Sequence, residues 1–302
     1  MPPRIRVMGL IADASALLLQ LGARRTARYG DQLQFAGADL PLPESRQVET
    51  RHGRVKVDVY LPADVIHAPV YIHLHGGGFV MRFPKMDDFF CRFLVAEAGV
   101  AVVNVDYDVA PQARYPVAQE QAYDVYAWLA ANAGSWGLDP ARIAIGGFSA
   151  GGNLAASACL QNRDAGGPAP RLQLLGVPSL DIAGDAASKP STVANPMIGA
   201  GLLKLIRATY FKDSSRRSEP YASPLLAADV AGLPQTVIFT AEHDALRTEG
   251  DAYAARLDQA GLLVEHRVVA RRDHYFLDGD RDEARAVLDA LAAHVRHAML
   301  AS

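Results

Sequence analysis

The chain predicts an α/β fold, with a mostly parallel central sheet, helices on both faces and a helical cap. Three observations carry that expectation. From residue 69 onward, short β-branched runs alternate with longer helical patterns, which is the signature of parallel strands joined by crossover helices. One such run, 143–145, ends in paired glycines, and a serine stands between glycines where the next helical pattern begins. Finally, 302 residues, half of them hydrophobic and with a net charge of −3, suffice for a sizeable core.

Taken in order, residues 1–45 begin helix-like and turn loop-like through Gly37 and Pro41-Leu42-Pro43. Arg4 and Arg6 ahead of the apolar run 7–23 give it the look of a signal peptide. Asp13 interrupts that run, however, and Arg24, Arg25 and Arg28 follow without a small-x-small cleavage context. An amphipathic helix lying on the protein is the better expectation, and with it a cytoplasmic location. No stretch reaches the ~18 uninterrupted apolar residues of a spanning helix, so no membrane insertion is expected.

From 47 to 61, Val55, Val57 and Val59 alternate with polar neighbours beyond a turn at His52-Gly53, which predicts an antiparallel hairpin. A buried strand at 69–75 runs into Gly76-Gly77-Gly78. Helices at 87–98, 117–131 and 150–160 then alternate with strands at 100–106, 142–145 and 172–177. Residues 181–224 break the rhythm, with small residues and prolines around a helical piece at 202–210. Alternation resumes with a strand at 236–240, a helix at 251–260 and a strand at 263–269. The last helix, 281–299, carries Leu288, Leu291, Val295 and Met299 on one stripe. The expected division is an N-terminal cap segment, 1–45, and a catalytic domain, 46–302, with a cap insertion at about 181–224. Both cap pieces should fold over the carboxyl ends of the strands, where open α/β sheets bind ligands.

Composition narrows the function classes. No basic footprint with interleaved aromatics appears, so nucleic acid is not an expected partner. Cys91 and Cys159 both fall in apolar helical stretches and read as buried reduced thiols; nothing resembles a metal-ligand cluster, and no metal is expected.

Gly147-Phe148-Ser149-Ala150-Gly151 is the G-x-S-x-G pattern in strand-to-helix context. That turn is so tight that Ser149 should sit in strained backbone geometry with its hydroxyl clear of the sheet. Glycines at 147 and 151 allow the flanking segments to approach closely. A serine hydroxyl needs an adjacent base, usually an imidazole oriented by a carboxylate. Asp244 lies just beyond the strand 236–240 and His274 just beyond 263–269, in the chain order nucleophile, acid, histidine. Glu242 and Asp251 are rival carboxylates. His266 lies within a strand, His294 and His297 on the last helix, and a base at His243 would leave its acid unexplained. Topology favours His274. His75-Gly76-Gly77-Gly78 follows a strand, as oxyanion-donor loops of the HGGG type do, and His75 reads as a residue that holds this loop.

In this ordered set the chain resembles the hormone-sensitive lipase-like family of bacterial carboxylesterases, within the α/β-hydrolase fold. The resemblance rests on His75-Gly76-Gly77-Gly78-Phe79, on Asp106-Tyr107-Asp108-Val109-Ala110-Pro111 with Tyr115-Pro116, and on the elbow 147–152. Further matches are Glu242-x-Asp244-x-Leu246-Arg247-x-Glu249-Gly250, His274-Tyr275-Phe276 and Tyr221-Ala222-Ser223-Pro224-Leu225, so that the match spans about 45–299. It implies a serine carboxylesterase acting on short- to medium-chain acyl esters through an acyl-enzyme. Ser149 would be nucleophile, His274 general base and acid, and Asp244 its orienting partner. The backbone amides of Gly77, Gly78 and Ala150 would form the oxyanion hole, with Gly76 completing the loop. It also implies no metal and no cofactor, and since many members dimerise, a homodimer is an expectation.

Four positions depart from the family pattern: Phe148 stands where Asp or another polar residue is usual, Asp108 where Arg is, Gln112 where Glu is, and Tyr275 where a glycine is. A charged network beneath the site is expected to be lost or rebuilt, with Tyr275 reshaping the approach. Two other functions are compatible with the scaffold: the same machinery acting on amides, lactones or by dehydration, or a non-hydrolytic small-molecule binder.

Overall fold

A computed structural model describes residues 3–26, 31–63, 65–189 and 191–300. The alternating valines of the early chain form the hairpin β1 (Glu44–Thr50) and β2 (Gly53–Tyr60), which turns at Arg51-His52. Next come β3 (Ala68–Leu74), α2 (Asp88–Ala98) after the N-terminal α1 (Pro3–Thr26), β4 (Ala101–Asp106) and α3 (Val117–Asn132). The elbow joins β5 (Leu138–Phe148) to α4 (Ala150–Asp164), and β6 (Leu172–Gly176) precedes α5 (Ala200–Thr209). The chain closes with β7 (Thr236–Ala241), α6 (Arg247–Gln259), β8 (Leu263–Val269) and α7 (Arg281–Leu300). The strands form one sheet in the order β1-β2-β4-β3-β5-β6-β7-β8, antiparallel at β1–β2 and β2–β4 and parallel elsewhere.

Period-two alternation sends β3 side chains to both faces. Val70, Ile72 and Leu74 join the core beneath α3, α4 and α6, with Leu129, Leu154 and Leu257. Tyr71 joins the opposite core with Phe90 and Leu94 of α2 and Leu288, Leu291 and Val295 of α7. The sheet is therefore covered on both sides, as its near-continuous apolar strands require.

Three boundaries and one orientation differ from expectation. The fifth strand is longer than 142–145 because Gly146, Gly147 and Phe148 stay in register with β3 and β6. A Cβ on Gly146 would collide with Tyr71 Oη and Leu174 O, so the paired glycines are a strand approach as well as a turn. The helix expected at 251–260 begins four residues earlier, at Arg247. Gly250, which looks like a breaker, fits there because a Cβ would meet Thr240 Cγ2 at 2.6 Å. The elbow helix runs on to Asp164. α1 packs on α5, but it turns the small residues Ala12, Ala16 and Ala23 inward, leaving Leu10, Ile11, Leu18 and Leu21 exposed. Among the described residues no helix is long and apolar enough to cross a membrane.

Candidate active site

Ser149 occupies the turn between β5 and α4 at φ +56° and ψ −114°, a conformation costly for a residue with a Cβ. Its amide donates to Gly176 O at 2.8 Å and its carbonyl accepts from Asn153 and Ser179 at 3.2 Å. A Cβ on Gly147 or Gly151 would strike Leu74 O, so both glycines are needed for the crossing. Asn153, whose role was not legible in the sequence, is fully buried beneath the turn. Its Nδ2 donates to Ser179 O at 2.8 Å and Ala222 O at 2.9 Å, tying the elbow to the segment leaving the insertion. An amide directly after the glycine pair was the available signal.

The glycine loop lies beside the serine: a Cβ on Gly76 would be 3.7 Å from Ser149 Cβ. Gly77 at φ +119° and Gly78 at φ +59° adopt backbone that L side chains rarely reach. Gly77 O accepts from the amides of Val80 and Met81 at 3.1 and 2.9 Å, closing the turn. Neither the Gly77 nor the Gly78 amide donates within the turn or to a side chain among the described residues. Ala150 begins α4, where an N–H has no intrahelical partner. His75 is bonded into the loop. Its Nδ1–H donates to Gly76 O at 2.6 Å, and its ring stacks on Tyr107 at 4.3 Å. Tyr107 Oη donates to His75 O at 2.6 Å, and complete burial pushes the imidazole down to about 4.

His274 follows β8 and Asp244 follows β7, and both are buried. The carboxylate can only accept, so His274 Nδ1–H donates to Asp244 Oδ2, at 2.8 Å. Asp244 Oδ1 accepts from the Leu246 amide at 3.0 Å, which fixes the acid at the start of α6. The rivals have other partners. Glu242 accepts from the Arg271 amide at 2.6 Å, Asp251 pairs with Arg247 and His266, His243 meets Thr192, and His294 pairs with Glu265. His297 lies on α7.

Ser149, His274, Gly77, Gly78 and Ala150 all line one cavity of about 240 Å³, while Asp244 stands behind His274. Leu19 of α1, Met197 and Ile206 of α5 close its other side. Two further tethers were invisible in the sequence. Asp273 accepts from the amides of His274 and Met197 at 2.8 and 2.7 Å, joining the histidine loop to the insertion. Glu249 is buried and pairs with Lys189 while accepting from the Leu180 amide at 2.8 Å; burial raises its carboxyl to about 7.

The four departing positions have different surroundings. Phe148 packs its ring 4.8 Å from Phe90, 5.5 Å from Phe276 and 5.3 Å from His73. Beside it lies the buried pair His73–Asp87, Nε2 to Oδ2 at 2.8 Å. Asp108 takes Arg82 at 2.8 Å and Gln121 at 2.7 Å, and Gln112 bonds Gln20 of α1 at 2.9 Å. Tyr275 lines the cavity next to His274. Cys91 and Cys159 are buried and unpaired, and burial raises both thiols. Among the described residues no group of three His, Cys, Asp or Glu side chains is placed to hold a metal ion.

Residues 71–278 match the family model described as the alpha/beta hydrolase fold. The chain is 33% identical to the carboxylic ester hydrolase LipN of Mycobacterium tuberculosis over 288 residues, covering 89% of this chain and 73% of that protein. It is 31% identical to an arylesterase of Saccharolobus solfataricus, covering 80% and 81% of the two chains. Among solved structures it is similar to the thermostable carboxylesterase EstE1, cloned from a metagenomic library, with a TM-score of 0.83, 31% identity and coverage of 93% and 98%. An esterase of Pyrobaculum calidifontis superposes with a TM-score of 0.81 at 31% identity, over 98% and 94% of the two chains. The chain thus belongs to the alpha/beta hydrolase fold family, among its hormone-sensitive lipase-like carboxylesterases.

Proposed function

We propose that this protein is a serine carboxylesterase of short- to medium-chain acyl esters, with Ser149, His274 and Asp244 as its triad. One observation carries the reading of the residues. The Nδ1–H of His274 is committed to Asp244, which leaves Nε2 as the basic nitrogen of a ring lining the same cavity as Ser149. In the first half-reaction Ser149 Oγ attacks the ester carbonyl as His274 takes its proton. Amides of Gly77, Gly78 and Ala150 receive the oxyanion. Collapse of the tetrahedral intermediate expels the alcohol, which leaves with the proton from His274, and an acyl-Ser149 ester remains. Water, deprotonated by His274, attacks that ester and releases the carboxylic acid, restoring Ser149 Oγ–H.

The largely apolar cavity wall, with Phe148 and Tyr275 at the serine end, supports a short to medium chain. Residues 1–45 and 181–224 are read as the cap, supported by Leu19 and Met197 reaching the cavity. A cytoplasmic enzyme that pairs as a homodimer is the accompanying proposal, and sedimentation at micromolar concentration tests the pairing. Ser149→Ala is expected to abolish turnover of 4-nitrophenyl butyrate while circular dichroism stays that of the folded protein. Full activity in the variant overturns the assignment.

A further inference from the structure

Beside Phe148 the cavity wall holds a charged group that the proposed chemistry does not use. Asp87, just ahead of α2, is 2% exposed, yet it lines the cavity next to Met86, Phe89 and Phe148. Oδ2 accepts from His73 Nε2 at 2.8 Å, and His73 is itself wholly buried on β3. Oδ1 has no hydrogen-bond partner among the described residues, and Asp87 does not cap α2 through its side chain. An unsatisfied carboxylate oxygen is costly inside a protein. Sealed apolar packing would orphan it, but here it belongs to a residue on a cavity wall.

The site is close to the reacting serine. A Cβ on Gly76 would lie 3.6 Å from Met86 Cε and 3.7 Å from Ser149 Cβ, and Asp87 is the residue after Met86. His73, which holds the other oxygen, packs on Phe148, the residue before Ser149. A ligand whose carbonyl is held at Ser149 can therefore reach Asp87 along the wall of the same cavity. The rest of this wall is apolar, so one acceptor atom is on offer. A hydroxyl, with one proton to donate, is satisfied there, whereas an ammonium brings three and would bury the other two unpaired.

We propose that Asp87 is a specificity residue that accepts a hydrogen bond from a hydroxyl on the ester's acyl or alkoxy chain, so that hydroxy-esters are preferred over plain ones. The inference rests on the reading of this cavity as the ester site. His73 would be a positioning residue, fixing the carboxylate so that Oδ1 faces the substrate.

The test measures kcat/KM for two substrate pairs: 4-nitrophenyl 3-hydroxybutyrate against the butyrate, and 3-hydroxypropyl butyrate against propyl butyrate. Wild type should favour the hydroxylated member of at least one pair by about ten-fold, the size of one hydrogen bond to a charged acceptor. In Asp87→Leu that ratio should fall towards one. The double variant His73→Leu, Asp87→Leu, which leaves no buried charge unpaired, should give the same result and guards against misfolding of the single one. A wild-type ratio near one in both pairs overturns the proposal, as does a ratio kept in folded variants. Failure to hydrolyse the plain butyrates at all would instead overturn the esterase reading.

Discussion

Phe148 stands where the family resemblance implies a polar residue, and its surroundings say why a charge would not be tolerated there. The ring fills a nest of His73, Phe90 and Phe276, and a Cβ on Gly176 would strike its edge. Phe148→Asp would remove that packing and set a carboxylate beside Asp87. It is expected to lower unfolding free energy by about 3 kcal/mol or more, read from urea denaturation. An unchanged midpoint would mean that the aromatic nest is not structural. At this scale the sequence was informative where a motif names a residue: Ser149 occupies the strand-to-helix turn, and Asp244 and His274 follow β7 and β8 within hydrogen-bond reach of each other. It was silent on His73–Asp87, Asn153 and Asp273. Their partners are distant in sequence and no local pattern marks them; Asn153 bonds a carbonyl 69 residues away.

At the scale of elements, the elbow works because β5 and α4 cross almost in contact. Gly151→Ala should therefore abolish folding or cost several kcal/mol, because the new Cβ meets backbone carbonyls that cannot yield. Soluble expression and thermal denaturation check it, and a normally folded Gly151→Ala protein would refute the crossing as drawn. The pairing of α1 with α5 gives a milder expectation. α1 is held by the Arg114–Asp13 ion pair and by Gln20, and brings Leu19 to the cavity. Removing residues 1–26 should leave the sheet folded and raise KM for medium-chain esters more than for acetate, as a chain-length profile would reveal. Element existence and order were legible because hydrophobic period and glycine punctuation are local. Which face of α1 turns inward was not, since its small residues make the contact with α5 and its larger leucines face out.

For the molecule as a whole, buried titratable groups set the pH response. Burial holds His75 neutral down to about 4, against about 6.5 when exposed in the unfolded chain. As pH falls below 6.5 the unfolded chain takes up that proton first, so stability is lost between 6.5 and 4, by roughly 3 kcal/mol from this residue. Glu249 runs the other way. Its carboxyl, raised to about 7, keeps its proton in the fold while the unfolded chain ionises near 4.5, so its contribution is lost as pH climbs through that window. Comparing wild type with His75→Phe isolates the first effect: the stability difference should shift towards the variant on acidification. Parallel pH curves would contradict it. The mostly parallel sheet was legible because it follows from alternation, whereas the sign of these titrations depends on depth of burial, which composition does not encode.

The backbone at Ser149 has a final consequence. At φ +56° the residue sits where glycine would be at ease, and only the proposed chemistry calls for a side chain there. The molecule is thus held away from its own stability optimum at the point where it acts. Of two inactive proteins, Ser149→Gly should prove more stable than Ser149→Ala by about 1 kcal/mol, since both lack the hydroxyl and only one is relieved of the strain. Selection for stability alone would erode this enzyme from its proposed nucleophile outward.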